Sequence, residues 1–332
     1  MSLLNKKIGF YSLDDQIKDA LLTPPHSHLS PYLNFNDFLY ESLKINSFLP
    51  NALIKMISDF KNRHSSHSAM LIKNLPVDKD LSPTPLSTQA VENKSSFLSE
   101  MMLLAIGQQL GEVFSYIEEK SGQLIHSITP QREGETSRSN AGSVYDFHLH
   151  TELAFFEYRP DYLLLLCLRS NKDNRTGFTT LACIEDAVEK LDQSTLDILK
   201  KPLFRIGIPE SFGKNKVSTE PVSVISHHIH DPELRVNFNN MQAITEEGKE
   251  ALKKLEEALN SSLCKLLLEP GDLLIVDNKK SAHGRTAFSA TYDGNDRWLQ
   301  RVYIKSTLRE MKHLSYAGRV HSYANYSHSH HT

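Results

Sequence analysis

Three side chains in this sequence have the types and the spacing to bind one transition metal together. His150 and Glu152 are two residues apart, so on a β-strand an imidazole and a carboxylate would project from the same face. His283, far downstream in the stretch 277–285, is the candidate for a third ligand. Two histidines and one carboxylate on one side of a metal leave the opposite positions open, and this ligand set is typical of non-haem Fe(II) sites.

The alternation of histidines leaves a second choice of ligands. His148 would share a face with His150, and a cupin-type site would use both histidines with a carboxylate four or five residues after the second. Ala154 and Phe155 occupy those positions, which disfavours that arrangement. On spacing alone, ordinary polar histidines in a barrel explain the pattern equally well.

Two arginines beyond His283 are candidates for binding an anion. Arg297 and Arg301 are four residues apart on a predicted strand that also contains Trp298 and Val302, so both would project from one face. A planar guanidinium binds a carboxylate through two parallel hydrogen bonds, as an anionic co-substrate requires. The alternative is a pair of surface arginines.

The remaining pattern predicts a fold that is mainly β with flanking helices. Amphipathic spacing predicts helices near 38–43, 53–57, 97–110 and 246–266, with Gly111 ending the third and Thr245 capping the fourth. Strands are predicted around His150 and at 68–74, 123–129, 162–168, 177–182, 203–208, 221–226, 234–239, 272–277 and 297–304. Many short strands with few helices favour a double-sheet jelly roll.

Bulk properties exclude several functional classes. The 332 residues are 39% hydrophobic and 23% charged, with a net charge of -3, which gives no reason to expect nucleic acid or an acidic membrane as a partner. No apolar run has the length of a membrane span. Three widely spaced cysteines and an N-terminus without the apolar segment of a signal peptide predict a cytoplasmic protein. The sequence carries no signal for an oligomeric state.

Five ordered blocks give a more specific resemblance. They are His150-Thr151-Glu152 and the stretches 159–169, 179–182, 277–285 and 292–301. Together they resemble the clavaminate synthase-like family of Fe(II)/2-oxoglutarate oxygenases, and in particular the branch that hydroxylates free asparagine, arginine or lysine. The similarity extends from about Gln123 to Lys305.

The resemblance implies a double-stranded β-helix core that uses Fe(II), 2-oxoglutarate and O₂. It implies that the iron ligands are His150, Glu152 and His283. Arg297 would bind the distal carboxylate of 2-oxoglutarate. Thr179 would donate a hydrogen bond to the same carboxylate, with the adjacent Thr180 as the alternative.

The resemblance also implies a binding site for an amino acid. Arg301 would meet the substrate carboxylate, while Gln123 and Asn140 would contact its amine or side chain. Arginine hydroxylases of the family carry a lid of the form Arg-Phe-Asp-x-Asp-x-Met, and here Asn237 and Asn239 replace the two acids. An amide compensates a buried guanidinium poorly, so these two residues predict a side chain that is neutral or whose charge is met elsewhere. Leu153 replaces the aspartate that follows the iron-binding glutamate in those enzymes.

These observations predict a single functional unit with additions at both ends. Residues 1–95 would form a helical and loop extension packed on the core, 96–310 the oxygenase domain with a lid near 209–245, and 311–332 a tail whose His-rich end is disordered. The predicted reaction is hydroxylation of an L-amino acid, free or carrier-bound, at Cβ or Cγ, with release of succinate and CO₂. The alternatives are desaturation or cyclisation by the same cofactors, and a non-catalytic metal-binding or ligand-binding barrel.

Overall fold

The computed structural model describes residues 7–22, 29–86, 94–171, 176–209, 212, 217–226, 231–313, 315–316 and 318–320. In this part of the chain the α-helices are α1 Asp15–Leu21, α2 Phe35–Ser42, α3 Asn51–Lys61, α4 Leu98–Leu110, α5 Ile184–Val188, α6 Gln193–Leu199 and α7 Glu246–Ser261. The strands are β1 Ile8–Ser12, β2 Ala69–Lys73, β3 Glu112–Tyr116, β4 His126–Ile128, β5 Phe147–His150, β6 Tyr162–Arg169, β7 Thr179–Cys183, β8 Phe204–Ile206, β9 Met241–Ala243, β10 Cys264–Leu266, β11 Leu273–Asp277, β12 Ser281–Arg285, β13 Trp298–Lys305, β14 Ser315–Tyr316 and β15 Arg319–Val320.

Two sheets form the core. The larger has the order β1-β2-β11-β6-β13-β3-β15-β14, with β4 also paired to β13, and the smaller has the order β10-β7-β12-β5. Apolar side chains from both sheets meet in one cluster that includes Leu165, Leu181 and Leu299. The expected mainly β, jelly-roll architecture with flanking helices is therefore confirmed.

Helices cover the outer faces of the two sheets. Helix α4 is buried along almost its whole length and belongs to a cluster with Trp298, Val302 and Ile304 of β13. The predicted stop at Gly111 is confirmed, but its reason is a close approach and not a left-handed turn. A Cβ at Gly111 would collide with the carbonyl oxygen of Lys305.

Strand β13 separates two environments by its alternation. Trp298, Val302 and Ile304 point to the helical layer, whereas Leu299 and Tyr303 belong to the cluster between the sheets. Side chains at odd positions from 297 to 305 therefore project toward the inter-sheet space. This strand determines which arginines can reach the candidate site.

Several local predictions need correction. The helix predicted at 246–266 ends at Ser261, because Cys264–Leu266 pairs with β7 as β10. The predicted N-cap is confirmed, since Thr245 Oγ1 accepts a hydrogen bond from the backbone of Gly248. The strands predicted at 221–226 and 234–239 contribute only isolated bridges, at residues 222, 225, 234 and 237.

The ends of the chain contribute more to the sheet than the sequence indicated. Strands β1 and β2 precede the predicted boundary at residue 96, yet both are hydrogen-bonded in the large sheet, and β15 pairs with β3. The predicted domain boundaries remain predictions, and the His-rich end lies outside the described residues. Within the described ranges, no helix combines the length and the apolar composition needed to cross a membrane.

Candidate functional site

Antiparallel pairing of β5 and β12 places the two candidate histidines side by side. His150 and His283 are direct partners in the register, and their ring centroids are 4.3 Å apart. Glu152 joins them from a turn. The expectation that His150 and Glu152 share a strand is wrong in this detail, because β5 ends at His150.

The backbone around Glu152 is held in an unusual conformation. The following residue, Leu153, has a φ of 52°, a region that side chains other than glycine adopt at a cost. Asn278 accepts a hydrogen bond of 2.6 Å from the Glu152 N–H and donates one of 3.1 Å to its carbonyl oxygen. One buried amide thus fixes both polar backbone groups of Glu152.

The three side chains have the geometry of a metal-binding group. His150, Glu152 and His283 are all buried, and one ligand atom from each lies within 4.8 Å of the other two. The Nδ1 of His150 is 2.9 Å from the carbonyl oxygen of His148. A carbonyl only accepts, so Nδ1 carries the hydrogen and Nε2 keeps a free lone pair. These residues fit a divalent metal that favours nitrogen and oxygen ligands.

The electrostatics favour the protonation states that a metal requires. Burial, followed by the neighbouring His283, lowers the pKa of His150 to about 3, so the imidazole is neutral. Burial alone would raise the pKa of Glu152, but Arg301 and the two imidazoles lower it below its ordinary value. A neutral imidazole and an ionised carboxylate are the forms that coordinate metals.

The pairing of β5 with β12 shifts register between His283 and Arg285, which interrupts the alternation that would have put the alternative ligand His148 on the face of His150. Its Nε2 is 3.0 Å from the guanidinium of Arg138, and it borders a surface depression together with Thr180 and Glu256. His148 is therefore directed away from the pair formed by His150 and His283.

A buried cation lies in the same cavity as Glu152 and His283, two of the three candidate ligands. The cavity has a volume of about 30 Å³, and its lining includes Asn140, Glu152, Thr179, His283, Arg297 and Arg301. Arg297 donates a hydrogen bond of 3.1 Å to Thr179 Oγ1. No carboxylate of the described residues lies within ion-pair distance of its guanidinium, and burial lowers the pKa of Arg297. This arrangement fits an anionic group supplied by a ligand.

The neighbouring threonines differ in direction. Thr179 contacts Arg297 inside the cavity, whereas Thr180 borders the depression on the outer face. The alternation along β7 therefore leaves Thr179 as the threonine available to a ligand that Arg297 binds.

Arg301 lies among two carboxylates and two aromatic rings. Its guanidinium donates to Glu119, to the Nδ1 of His126 at 2.7 Å and to Glu152 Oε1 at 3.4 Å, and it lies 4.5 Å from the ring centroid of Tyr303. Burial alone would lower the pKa of Arg301, but these acidic neighbours raise it. Burial, followed by Arg301 and Lys120, lowers the pKa of His126 well below its usual value. Arg301 is therefore a permanent cation and His126 a neutral acceptor.

The structure places the other two predicted substrate residues, Asn140 and Gln123, in different positions. Asn140 lines the cavity with the candidate metal ligands. Gln123 is outside the set of lining residues, and its backbone carbonyl accepts a hydrogen bond of 2.7 Å from His126 Nε2. Its position relative to the site is thus indirect, through His126 and then Arg301.

The two amides of the predicted lid contact strand β5. Asn239 exchanges hydrogen bonds with the backbone of His148, at 3.3 Å and 3.4 Å. Asn237 Oδ1 accepts from the side-chain amide of Asn239 at 3.1 Å, and the backbone of Asn237 bridges to His150. These amides hold the lid segment against the strand that carries His150.

Three residues of this site escaped the sequence analysis. Tyr303 lies on the same face of β13 as Arg297 and Arg301, and its hydroxyl lies between Glu119 and Glu152. Alternation along the strand would have identified it. Glu119 and Asn278 gave no such signal, because their roles depend on turns that are remote in sequence.

Comparisons with known proteins agree with this geometry. The profile of the family described as "Taurine catabolism dioxygenase TauD, TfdA family" matches residues 60–303. The chain is 36% identical over 264 residues to L-asparagine oxygenase of Streptomyces coelicolor, with 79% of this chain and 78% of the relative covered. It is 31% identical over 285 residues to clavaminate synthase 2 of Streptomyces clavuligerus, with 83% and 86% covered.

Solved structures show the same similarity in three dimensions. Asparagine oxygenase in complex with Fe(II), 2S,3S-3-hydroxyasparagine and succinate superimposes with a TM-score of 0.84 at 30% identity, covering 94% of this chain and 99% of the other. The non-haem iron oxygenase OrfP in complex with Fe, succinate and (3S)-hydroxy-L-Arg gives a TM-score of 0.81 at 26% identity, covering 93% and 98%.

Proposed function

We propose that this chain, which belongs to the TauD and TfdA dioxygenase family, hydroxylates an L-amino acid at Cβ or Cγ. It would do so as an Fe(II)- and 2-oxoglutarate-dependent dioxygenase. The observation that carries the proposal is one shared cavity. Glu152 and His283, which form the candidate metal group with His150, line it together with Arg297, a buried cation without a carboxylate partner among the described residues.

The three ligands would bind iron on one side and leave the other side to small molecules. With 2-oxoglutarate and O₂, bound Fe(II) supplies the oxidising chemistry that places one oxygen atom on a substrate carbon and releases succinate and CO₂. The protein's own contribution is to hold His150 in the tautomer set by the His148 carbonyl and Glu152 in the turn set by Asn278.

Arg297 and Thr179 would bind the distal carboxylate of 2-oxoglutarate. A guanidinium buried with only a hydroxyl partner is costly, and a carboxylate would complete its hydrogen bonds and neutralise its charge. Because Arg297 directly precedes β13 and Thr179 begins β7, the co-substrate would lie between the two sheets.

Arg301 and Glu119 would bind the charged groups common to free amino acids. The guanidinium suits an α-carboxylate and Glu119 suits an α-ammonium, so this ion pair complements a zwitterion. A carrier-bound substrate would carry a thioester in place of the carboxylate and would offer Arg301 no substrate anion. We therefore favour a free amino acid, with Asn140 as a further polar contact and Gln123 as an indirect one.

The lid favours a substrate with an uncharged polar side chain. Asn237 and Asn239 bind each other and the backbone of β5, and neither supplies a negative charge for a guanidinium. L-Asparagine, the substrate named for the similar oxygenase of Streptomyces coelicolor, has such a side chain and is the first compound to test. In the part of the chain that the structure describes, Cys167, Cys183 and Cys264 form no disulfide, which supports a reducing, cytoplasmic location.

A screen of common amino acids tests the proposal directly. Purified protein with Fe(II), 2-oxoglutarate and O₂ is expected to release succinate and to add 16 mass units to one amino acid. Absence of succinate under all conditions would favour the non-catalytic barrel. The 31% identity to clavaminate synthase 2 keeps desaturation or cyclisation as a second candidate, and a product lighter by two mass units would reveal it.

A further inference from the structure

The hydroxyl of Tyr303 lies between two carboxylates. Its oxygen is 3.0 Å from Glu119 Oε2 and 3.1 Å from Glu152 Oε1. The ring is fully buried and packs edge-on against Tyr116 and His126, so the hydroxyl has little freedom to move. A hydroxyl has one hydrogen, and it therefore donates to only one of these two acids at a time.

The two oxygens of Glu152 have different surroundings. Oε2 lies 3.4 Å from His283 Nε2 and faces the other candidate metal ligands. Oε1 accepts from Tyr303 and from Arg301, the latter at 3.4 Å. The oxygen turned away from the metal ligands is thus held by residues of the proposed amino-acid site.

The other acid in contact with Tyr303 belongs to that amino-acid site as well. Glu119 accepts hydrogen bonds from Tyr303 and from Arg301 and is the proposed acceptor for the substrate ammonium. An ammonium carries three hydrogens and a full charge, so it would satisfy Glu119 better than the phenol does. The Tyr303 hydroxyl would then donate its hydrogen bond to Glu152 alone.

We propose that Tyr303 is a positioning residue that couples amino-acid binding to the metal ligand Glu152. In the free protein one hydrogen is shared between Glu119 and Glu152. When a substrate ammonium binds Glu119, the Tyr303 hydroxyl donates its hydrogen bond to Glu152 Oε1. This bond orients the carboxylate so that Oε2 points to the metal. This inference rests on the proposed function, because it requires the ammonium to bind at Glu119.

The coupling has a measurable and reciprocal consequence. Hydrogen bonds to a liganding carboxylate orient it and increase metal affinity. The amino acid should therefore tighten metal binding, and the metal should tighten amino-acid binding by the same factor. A purely structural role for the Tyr303 ring predicts no such dependence, because the ring is present with or without substrate.

The experiment measures the dissociation constant of Co(II), a redox-stable probe whose visible absorption reports its coordination. It is measured with saturating 2-oxoglutarate, in the presence and absence of L-asparagine. In the wild-type protein L-asparagine is expected to raise Co(II) affinity by about fivefold or more. In Tyr303→Phe, which removes the hydroxyl and keeps the ring, that factor is expected to fall to about one.

Controls separate the hydrogen bond from general effects. Succinamate is L-asparagine without its ammonium, and it should not raise Co(II) affinity in any variant. Tyr116→Phe removes a neighbouring buried hydroxyl that donates to the Tyr158 carbonyl, and it should keep the wild-type factor. If Tyr303→Phe folds poorly by circular dichroism, Glu119→Gln replaces it as the test variant and should also abolish the coupling.

An equal factor in wild type and Tyr303→Phe would overturn the inference, as would the absence of any effect of L-asparagine in the wild-type protein. Equal tightening by succinamate would overturn it too, because the ammonium would then be unnecessary. Failure of the wild-type protein to release succinate with Fe(II) and 2-oxoglutarate would contradict the proposed function, and this inference with it.

Discussion

The two walls of the cavity contribute different kinds of chemistry. Strands β5 and β12 of the small sheet supply imidazoles, and burial keeps His150 neutral. Strand β13 of the large sheet and the residue directly before it supply the permanent cations Arg301 and Arg297. Glu152, in the turn after β5, contacts both walls through His283 and Arg301.

The difference suits the proposed ligands, which are a metal and the carboxylate groups of two small molecules. A metal requires neutral nitrogen donors, and burial keeps imidazoles neutral. Carboxylates instead require cations that remain charged when buried, as arginines do. Placing the two functions on different sheets keeps the arginines from competing with the metal for the histidines. Changes that do not alter the contacts of Glu152 should therefore have separable effects.

The largest expected effect comes from the small-sheet wall. His150→Ala and His283→Ala should each abolish Fe(II)-dependent succinate release while the fold persists, because two remaining ligands hold iron weakly. Succinate release and circular dichroism of the purified variants are the measurements. His148→Ala is the matched control, since His148 faces away from the pair and bonds Arg138. Inactivation by His148→Ala alone would show that the ligand assignment is wrong.

Changes on the large-sheet wall should affect one small molecule each. Arg297→Ala should raise the KM for 2-oxoglutarate and Arg301→Ala the KM for the amino acid, because loss of one partner of a buried charge pair costs about 2–5 kcal/mol. That cost corresponds to at least about 30-fold in KM. Thr179→Val should also raise the KM for 2-oxoglutarate, but by less than Arg297→Ala. Thr180→Val should change this KM little. An unchanged KM for 2-oxoglutarate in Arg297→Ala would exclude its proposed role.

The lid tests whether side-chain specificity is independent of both walls. Asn237 acts as an acceptor toward Asn239, so Asn237→Asp keeps its hydrogen bonds and adds a negative charge. It should improve turnover of L-arginine relative to L-asparagine by tens of fold, about 2 kcal/mol. Asn239→Asp is the informative contrast, because it loses the amide donor to the His148 carbonyl. Arginine as the best substrate of the native protein would contradict this role of the lid.

The smallest effect concerns the dependence of stability on pH. The pKa of His126 is well below its usual value in the folded protein because of burial and the nearby Arg301. Between pH 6.5 and 5 the unfolded chain therefore binds a proton at His126 that the folded chain does not, and stability falls as the pH falls. In the metal-free protein His126→Gln should reduce this slope by about 1.4 kcal/mol per pH unit. Urea unfolding at several pH values measures it, and equal slopes would contradict a neutral His126.

Regular elements of this site were predictable, and irregular ones were not. The shared face of Arg297 and Arg301 follows from the two-residue period of a strand, as does the position of Tyr303. The position of Glu152 depends instead on a turn in which Leu153 has a positive φ. Leucine rarely adopts this conformation, so nothing in the sequence indicated it. The approach of His150 to His283 required the pairing of β5 with β12, and β12 was not predicted as a strand.

Glu119 shows the same limit more strongly. It precedes Lys120 and Ser121, which both have positive φ without being glycine, and this turn directs Glu119 toward β13. No local pattern marks such a turn, because its cost is met by tertiary contacts such as the bond from Lys120 Nζ to the Ser127 carbonyl. Resemblance to a family predicted Arg301 as the cation for the substrate, but only the structure identified Glu119 as the acid beside it.

The parallel pairing of β1 with β2 also has a consequence for handling the protein. Strand β2 is an apolar segment, Ala69-Met70-Leu71-Ile72-Lys73, and β1 covers the edge that it would otherwise expose. A chain shortened to begin after Ser12 would present unpaired backbone N–H and C=O groups along this strand. Such an edge pairs with strands of other molecules, so removal of residues 1–12 would make the protein prone to aggregation.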